Sequence, residues 1–264
     1  MYEFKYHRPA TLQEAAEIHA AAEDAQYIAG GQSLLPSLKF RLSRPSDVID
    51  ISRLPDLDFI RMEGDALLIG AATPHADVAA SEIVQGAIPA LASLAALIGD
   101  PQVRNCGTLG GALANNDPVA DYPAAMLGLG ATVITGGREI SADDFFTDMF
   151  ETALEEGEII TAVRFAKPAR AGYAKFPNPA SRYAIVGVFA AETAAGVRIA
   201  VTGAGPCVFR ADAMEAALGQ SLSGGVELPA LSSDGLNADM HASAEYRAHL
   251  VTVMAGRAIE AAIG

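Results

Sequence analysis

Apolar positions along the first quarter of the chain switch between helical and strand spacing. Thr11-Leu12-Gln13-Glu14 has the form of a capping box, and the Ala-rich stretch after it predicts a helix to about Ala22. Residues 26–29 form a short apolar run of strand character, broken by Gly30-Gly31. Ser33 is placed to cap a short helix carrying Leu34, Leu35 and Leu38, and Val48, Ile49 and Ile51 predict the next strand. Together these make a strand–turn–helix–strand unit.

The pattern then turns more helical. Residues 67–69 read as a strand, Thr73 as the cap of a helix through Ala80, and residues 89–98 as a second helix stopped by Gly99 and Pro101. A Gly-rich segment, 107–111, leads into Asn115-Asn116-Asp117-Pro118. Asp121 then reads as the cap of a helix with Pro123 in its first turn. Residues 131–135 and 138–140 flank Gly136-Gly137 as a hairpin. Lys167-Pro168-Ala169-Arg170-Ala171-Gly172 is the best linker candidate. Beyond it, residues 173–176, 184–191 and 197–202 have the β-branched and aromatic content of an antiparallel sheet, and 211–218 and 244–263 read as helices. The expected organisation is an α+β chain with a two-lobed domain over 1–170 (lobes about 1–55 and 56–170) and a smaller α+β domain over 171–264.

Charge and composition remove several function classes. The net charge of −14 disfavours a nucleic-acid partner and an anionic membrane surface, both of which need a basic face. The first ten residues contain no apolar leader, and the longest apolar stretch, 87–98, is too short to span a bilayer, so no membrane insertion and a cytoplasmic location are expected. Cys106 and Cys207 are too few for a disulfide framework or for an iron–sulfur cluster, which takes about four thiolates. The five histidines show no metal-ligand spacing, so no metal site is expected in this chain.

The candidate chemistry is concentrated in Ala29-Gly30-Gly31-Gln32-Ser33 and Thr108-Leu109-Gly110-Gly111-Ala112. A glycine pair lets several backbone N–H groups converge on one anion, helped by the positive end of a helix, and Ser33 and Thr108 add hydroxyls. A pyrophosphate could be held this way without Lys or Arg. The bland reading is that glycine pairs mark turns. The chain has four such pairs, and neither segment has the GxGxxG or GxxxxGK[ST] form.

Ala29-Gly30-Gly31-Gln32-Ser33-Leu34, with Lys39 and Arg41 soon after, resembles the first flavin motif of the medium subunits of carbon monoxide dehydrogenase-type molybdenum hydroxylases. Thr108-Leu109-Gly110-Gly111 through Asn115-Asn116-Asp117-Pro118 and Asp121-Tyr122-Pro123 resembles the second. Ala180-Ser181-Arg182-Tyr183-Ala184-Ile185-Val186-Gly187 is similar to the opening of that family's C-terminal domain. The resemblance runs from Tyr2 to the C-terminus. It implies the flavin domain of the vanillyl-alcohol oxidase/xanthine dehydrogenase type, two lobes around FAD, followed by a smaller α+β domain. It also implies that backbone amides of residues 29–33 and 108–112 cradle the pyrophosphate, that Asn115 and Asp121 bind the adenosine half, that Ile98 packs near the adenine or flavin edge, and that Tyr183 lies against the isoalloxazine. The residue-level alternatives stay open: Asp121 as a helix cap, Ile98 as core, Tyr183 as interface or core, Cys106 as a buried filler. Two positions depart from the family: Ala112, where many relatives have Asn, and Asn178, where many have a basic residue near the flavin.

The resemblance further implies non-covalent FAD in an electron-transfer subunit with no catalytic acid, base or nucleophile of its own. The molybdenum cofactor would sit in a large partner subunit and two [2Fe–2S] clusters in a small one, in a dimer of heterotrimers. Two other readings compete: a self-sufficient flavin oxidase or dehydrogenase, and a non-catalytic nucleotide-binding assembly subunit.

Overall fold

The computed structural model describes residues 1–264. The first lobe contains β1 (Lys5–His7), α1 (Leu12–Ala21), β2 (Ala25–Ile28), α2 (Leu34–Lys39) and β3 (Asp47–Asp50), with a parallel sheet in the order β1-β3-β2. The start of α1 follows the sequence: Thr11 Oγ1 accepts from the Glu14 N–H at 3.1 Å, while Glu14 reaches back to the Ala10 N–H at 2.7 Å. Ser33 occupies the cap position of α2, but its side chain makes no capping bond. The apolar core here is small. Ala15, Ile49, Ile51, Leu54 and Leu57 are closed over by Ala72 and Ile159 of the second lobe.

The second lobe opens with the hairpin β4 (Ile60–Glu63) and β5 (Ala66–Gly70). Six helices follow: α3 (His75–Ala80), α4 (Glu82–Ala87), α5 (Pro89–Ala96), α6 (Pro101–Arg104), α7 (Leu109–Asn115) and α8 (Tyr122–Leu129). Then come β6 (Thr132–Thr135), β7 (Glu139–Ser141), α9 (Ala142–Phe145), the ribbon β8 (Phe146–Asp148) and β9 (Glu151–Thr152), and β10 (Ile160–Ala166). Strands β4-β5-β10-β6-β7 form one antiparallel sheet in that order. Every residue of α8 is buried, which its unbroken apolar sequence requires. Two expected caps are corrected. Pro74, not Thr73, occupies the cap position of α3, and the Thr73 hydroxyl donates to Phe59 O at 3.2 Å. Asp121 sits at the start of α8 in helical geometry and makes no capping bond.

Beyond Ala166 the chain enters a third sheet, an antiparallel meander of β11 (Arg170–Pro177), β12 (Ala184–Thr193), β13 (Gly196–Thr202) and β14 (Phe209–Arg210). Two helices, α10 (Asp212–Leu218) and α11 (Ala244–Ile263), cover one face through Val186, Val188, Ile199, Met254 and Ile259. The other face sends Tyr173, Phe189, Ala191 and Ala200 into the core of the second lobe. Packing is therefore continuous across the linker. No helix is long and apolar enough to cross a membrane.

Candidate functional site

The two glycine segments meet. A Cβ built on Gly30 would stand 2.1 Å from Cys106 O and 2.6 Å from Gly107 Cα, so only glycine lets the β2–α2 turn close onto the backbone before α7. Its neighbour Gly31 has φ +68°, the left-handed turn conformation. The second pair differs. Gly110 and Gly111 lie in the first turn of α7, where Thr108 Oγ1 accepts from the Gly111 N–H at 3.2 Å. This segment follows a loop rather than a strand. A Cβ on Gly111 would meet only Thr108 Oγ1, at 2.9 Å. Cys106, expected to be a buried filler, is exposed.

Between the lobes lies a cavity of about 670 Å³, a size suited to a large organic ligand. Ala29, Gly30, Gly31, Gln32, Ser33 and Leu34 line it from the first lobe. Ile98, Thr108, Gly110, Gly111, Ala112, Asn115 and Asp121 line it from the second, and Tyr183 from the C-terminal sheet. The structure thus brings all fourteen sequence-nominated residues to one wall-to-wall space.

Individual side chains depart from the expectations. Asp121 is 4 % exposed, and its carboxylate is already engaged: Tyr173 Oη donates at 2.5 Å and Lys175 Nζ stands 2.8 Å away. Burial pushes this carboxyl above the usual carboxylate range, and Lys175 works against that shift. Tyr183 is 48 % exposed and faces the cavity mouth rather than a core. Ile98 is half-buried, packing on the second-lobe core while its edge lines the cavity. Asn178 does not line the cavity. Its side chain accepts from Ala180 N at 2.9 Å and Ser181 N at 3.2 Å and so folds the turn that presents Arg182 and Tyr183. A basic residue does reach the wall, but it is Arg182.

Sequence reading missed His75 and Glu158 and gave no role to Asp117 and Tyr122 within the second motif; all four line the cavity. Pattern analysis had no signal for His75, the first residue of a short helix. His75 Nδ1 and Tyr122 Oη are buried without hydrogen-bond partners. Orphaned atoms on a cavity wall are what a polar ligand or a bound water would satisfy. With the open cradle at Gly111, they fit a large polar cofactor.

Burial, aided by the nearby Arg104 charge, lowers the His75 imidazole from 6.5 to about 4. A depressed folded-state value means that the unfolded chain binds the proton first. The neutral ring's contribution is complete above pH 6.5 and is lost as pH falls toward 4, to the extent of roughly 3 kcal/mol. Asp117 and Asp121, whose carboxyls are raised by burial, act with the opposite sign. The difference between wild type and His75→Gln is therefore the measure. Urea denaturation from pH 7.5 to 4.5 is expected to show the two stabilities converging, and curves that stay parallel would exclude a buried neutral His75.

Comparison with known proteins agrees with this geometry. Residues 2–168 match the family described as "FAD binding domain in molybdopterin dehydrogenase". The carbon monoxide dehydrogenase medium chain of Hydrogenophaga pseudoflava is 35% identical over 279 residues, covering 98% of this chain and 96% of that one. The nicotine 6-hydroxylase medium subunit of Paenarthrobacter nicotinovorans is 36% identical, covering 97% and 95%. Among solved structures, carbon monoxide dehydrogenase from Hydrogenophaga pseudoflava superposes with TM-score 0.88 at 35% identity over 99% of this chain and 98% of that one. Quinoline 2-oxidoreductase from Pseudomonas putida 86 superposes with TM-score 0.87 at 30% identity over 99% and 97%. This chain belongs to the family of FAD-binding medium subunits of molybdenum-containing oxidoreductases.

Proposed function

We propose that this chain is the electron conduit of its complex: it holds FAD non-covalently in the inter-lobe cavity, takes electrons from [2Fe–2S] clusters of a small partner subunit, and passes them to an external acceptor. The flavin supplies the redox chemistry, and the chain supplies position and electrostatics. In this reading the backbone amides of residues 29–33 and 108–112 hold the pyrophosphate, and Asn115 and the paired Asp121 face the adenosine half. Ile98 and Tyr183 border the rings. A large subunit with the molybdenum cofactor completes a dimer of heterotrimers in the cytoplasm.

The observation that carries the reading is the engagement of the cavity's acids. Asp121 is paired with Lys175 and Tyr173. Glu158 accepts two hydrogen bonds from Arg138, at 2.9 and 2.7 Å, which hold its carboxyl down to about 2. The His75 ring lines the cavity, but burial holds it down at about 4, which makes it a weak base near neutral pH. A site that abstracts a substrate proton needs a free base within reach, with a value near the working pH. One feature favours the competing self-sufficient flavoenzyme: Asp117 lines the cavity, its carboxyl is raised by burial, and its only bond is to the Val119 N–H.

The test uses the flavin band near 450 nm under anaerobic conditions. Carbon monoxide, nicotine and glyceraldehyde, the compounds that name relatives of this chain, are expected to leave the lone FAD-loaded chain unbleached. A dithionite-reduced [2Fe–2S] subunit, freed of excess reductant, is expected to bleach it within seconds. Rapid bleaching of the lone chain by an organic compound would promote the Asp117 reading.

A further inference from the structure

Three cations converge where the chain leaves α5. Lys175 Nζ donates to Leu97 O at 3.1 Å. Arg104 Nη1 donates to Ile98 O and Gly99 O, both at 3.0 Å, and Arg182 Nη1 reaches Gly99 O at 3.4 Å. Ile98, Gly99 and Arg182 line the cavity. The three cations are not equivalent. Lys175 is neutralised by Asp121. Arg104 and Arg182 bond only to carbonyls, whereas seven of the chain's fourteen arginines form ion pairs with carboxylates. One formal positive charge without a carboxylate, that of Arg182, thus stands on the cavity wall of an acidic protein, and a second, that of Arg104, is bonded to the wall residues Ile98 and Gly99. Arg104 adds to the burial that keeps His75 neutral.

Arg182 is also held in an unusual conformation. Its φ of +63° is one that L-residues with a Cβ rarely adopt. The conformation is enforced by the Asn178 turn, in which Arg182 N donates to Asn178 O at 2.9 Å and Asn178 N to Tyr183 O at 2.8 Å. A strained residue over-determined by its surroundings, beside a ligand cavity, is a recognisable functional arrangement. The contact to Gly99 O is long, so the guanidinium has donors to spare.

We propose that Arg182, seconded by Arg104, sets the reduction potential of the flavin in this chain by placing fixed positive charge on the cavity wall. The inference rests on the reading that FAD occupies this cavity. Two-electron reduction with uptake of one proton leaves the bound cofactor one charge more negative. A fixed cation then favours the reduced over the oxidised form, and the same linkage appears as tighter binding of reduced FAD. Asn178 serves the turn that delivers Arg182.

The test compares the full-length chain with Arg182→Gln, Arg182→Lys and Arg104→Gln. Anaerobic titration gives the dissociation constants of oxidised and dithionite-reduced FAD, and dye equilibration gives the midpoint potential. Arg182→Gln is expected to weaken reduced FAD about tenfold more than oxidised FAD, which lowers the potential by about 30 mV for a two-electron couple. Arg182→Lys is expected to stay within about twofold of wild type, and Arg104→Gln to shift the potential in the same direction by less. Equal weakening of both forms, with the potential unchanged, would show that Arg182 only packs against the turn or holds the phosphates, and would overturn the proposal. Failure of the underlying reading looks different. FAD would then remain fully bound when Gly111, which also lines the cavity, is replaced by a bulky residue.

Discussion

Gly111→Val is expected to yield a folded chain whose FAD occupancy is at least tenfold below wild type. The new side chain meets only Thr108 Oγ1 within the protein, at 2.9 Å from its Cβ, and otherwise projects into the cavity. Disturbing the Thr108 cap costs about 1 kcal/mol, and replacing a helical glycine returns roughly 0.5 kcal/mol, so the fold is nearly unaffected. The cofactor loses the bare backbone it would lie against. Gly30→Ala is the contrasting control. Its Cβ would overlap the Cys106 carbonyl oxygen at 2.1 Å, and the lobes cannot close without backbone displacement, so stability itself falls. The ratio of flavin absorbance near 450 nm to protein absorbance, taken with a denaturation curve for each variant, separates the two outcomes. A folded Gly111→Val chain with full flavin would remove the second glycine segment from the site.

Lys175→Met is expected to cost about 3–5 kcal/mol, the largest stability effect of any single side-chain truncation at the site. The Lys175 side chain is 2% exposed and the Asp121 side chain 3%. Removing the cation strands a carboxylate among buried groups with only Tyr173 as partner. It also releases Leu97 O and so detaches β11 from the end of α5. The paired change Asp121→Asn with Lys175→Met is expected to recover most of the loss, because a neutral amide has no charge to desolvate. Urea denaturation at pH 7 decides the matter. A loss below about 1 kcal/mol in the single variant would mean that the pair is solvated and does not hold the C-terminal sheet to the second lobe.

Much of this was legible in the chain, for identifiable reasons. The helices α1, α5 and α11 fall where the sequence pattern put them, and the first three strands of the C-terminal sheet where β-branched and aromatic content put them, since a sheet packed on both faces favours such residues. The cavity-lining glycines were readable because glycine is used where backbone must approach backbone or ligand. Short elements escaped. β1 presents Lys5, Tyr6 and His7 with no apolar alternation, and its existence depends on pairing with β3. The caps at Thr73 and Asp121 failed for separate reasons. Each residue type is a good cap locally, but the helix after Thr73 is capped one residue later, at Pro74, and the Asp121 carboxylate accepts from the distant Tyr173 and Lys175 instead of from its own helix. Partners more than fifty residues away, such as these two for Asp121, leave no trace in local pattern. Asn178 is a different case: its partners, Ala180 N and Ser181 N, are local, and the side chain that looked like a missing charge shapes the turn carrying Arg182.

The contact between Gly30 and the Cys106–Gly107 backbone bears on how a lineage could lose its cofactor. The obstacle to a side chain at position 30 is main chain, which no substitution elsewhere can shrink. A descendant that no longer carried flavin would still be obliged to keep that glycine in order to fold. Position 111 is under no such obligation and would drift freely once the cavity fell idle. Retention of Gly30 therefore says little about whether a homologue remains a flavoprotein, whereas the retention of glycine at position 111 is the informative character.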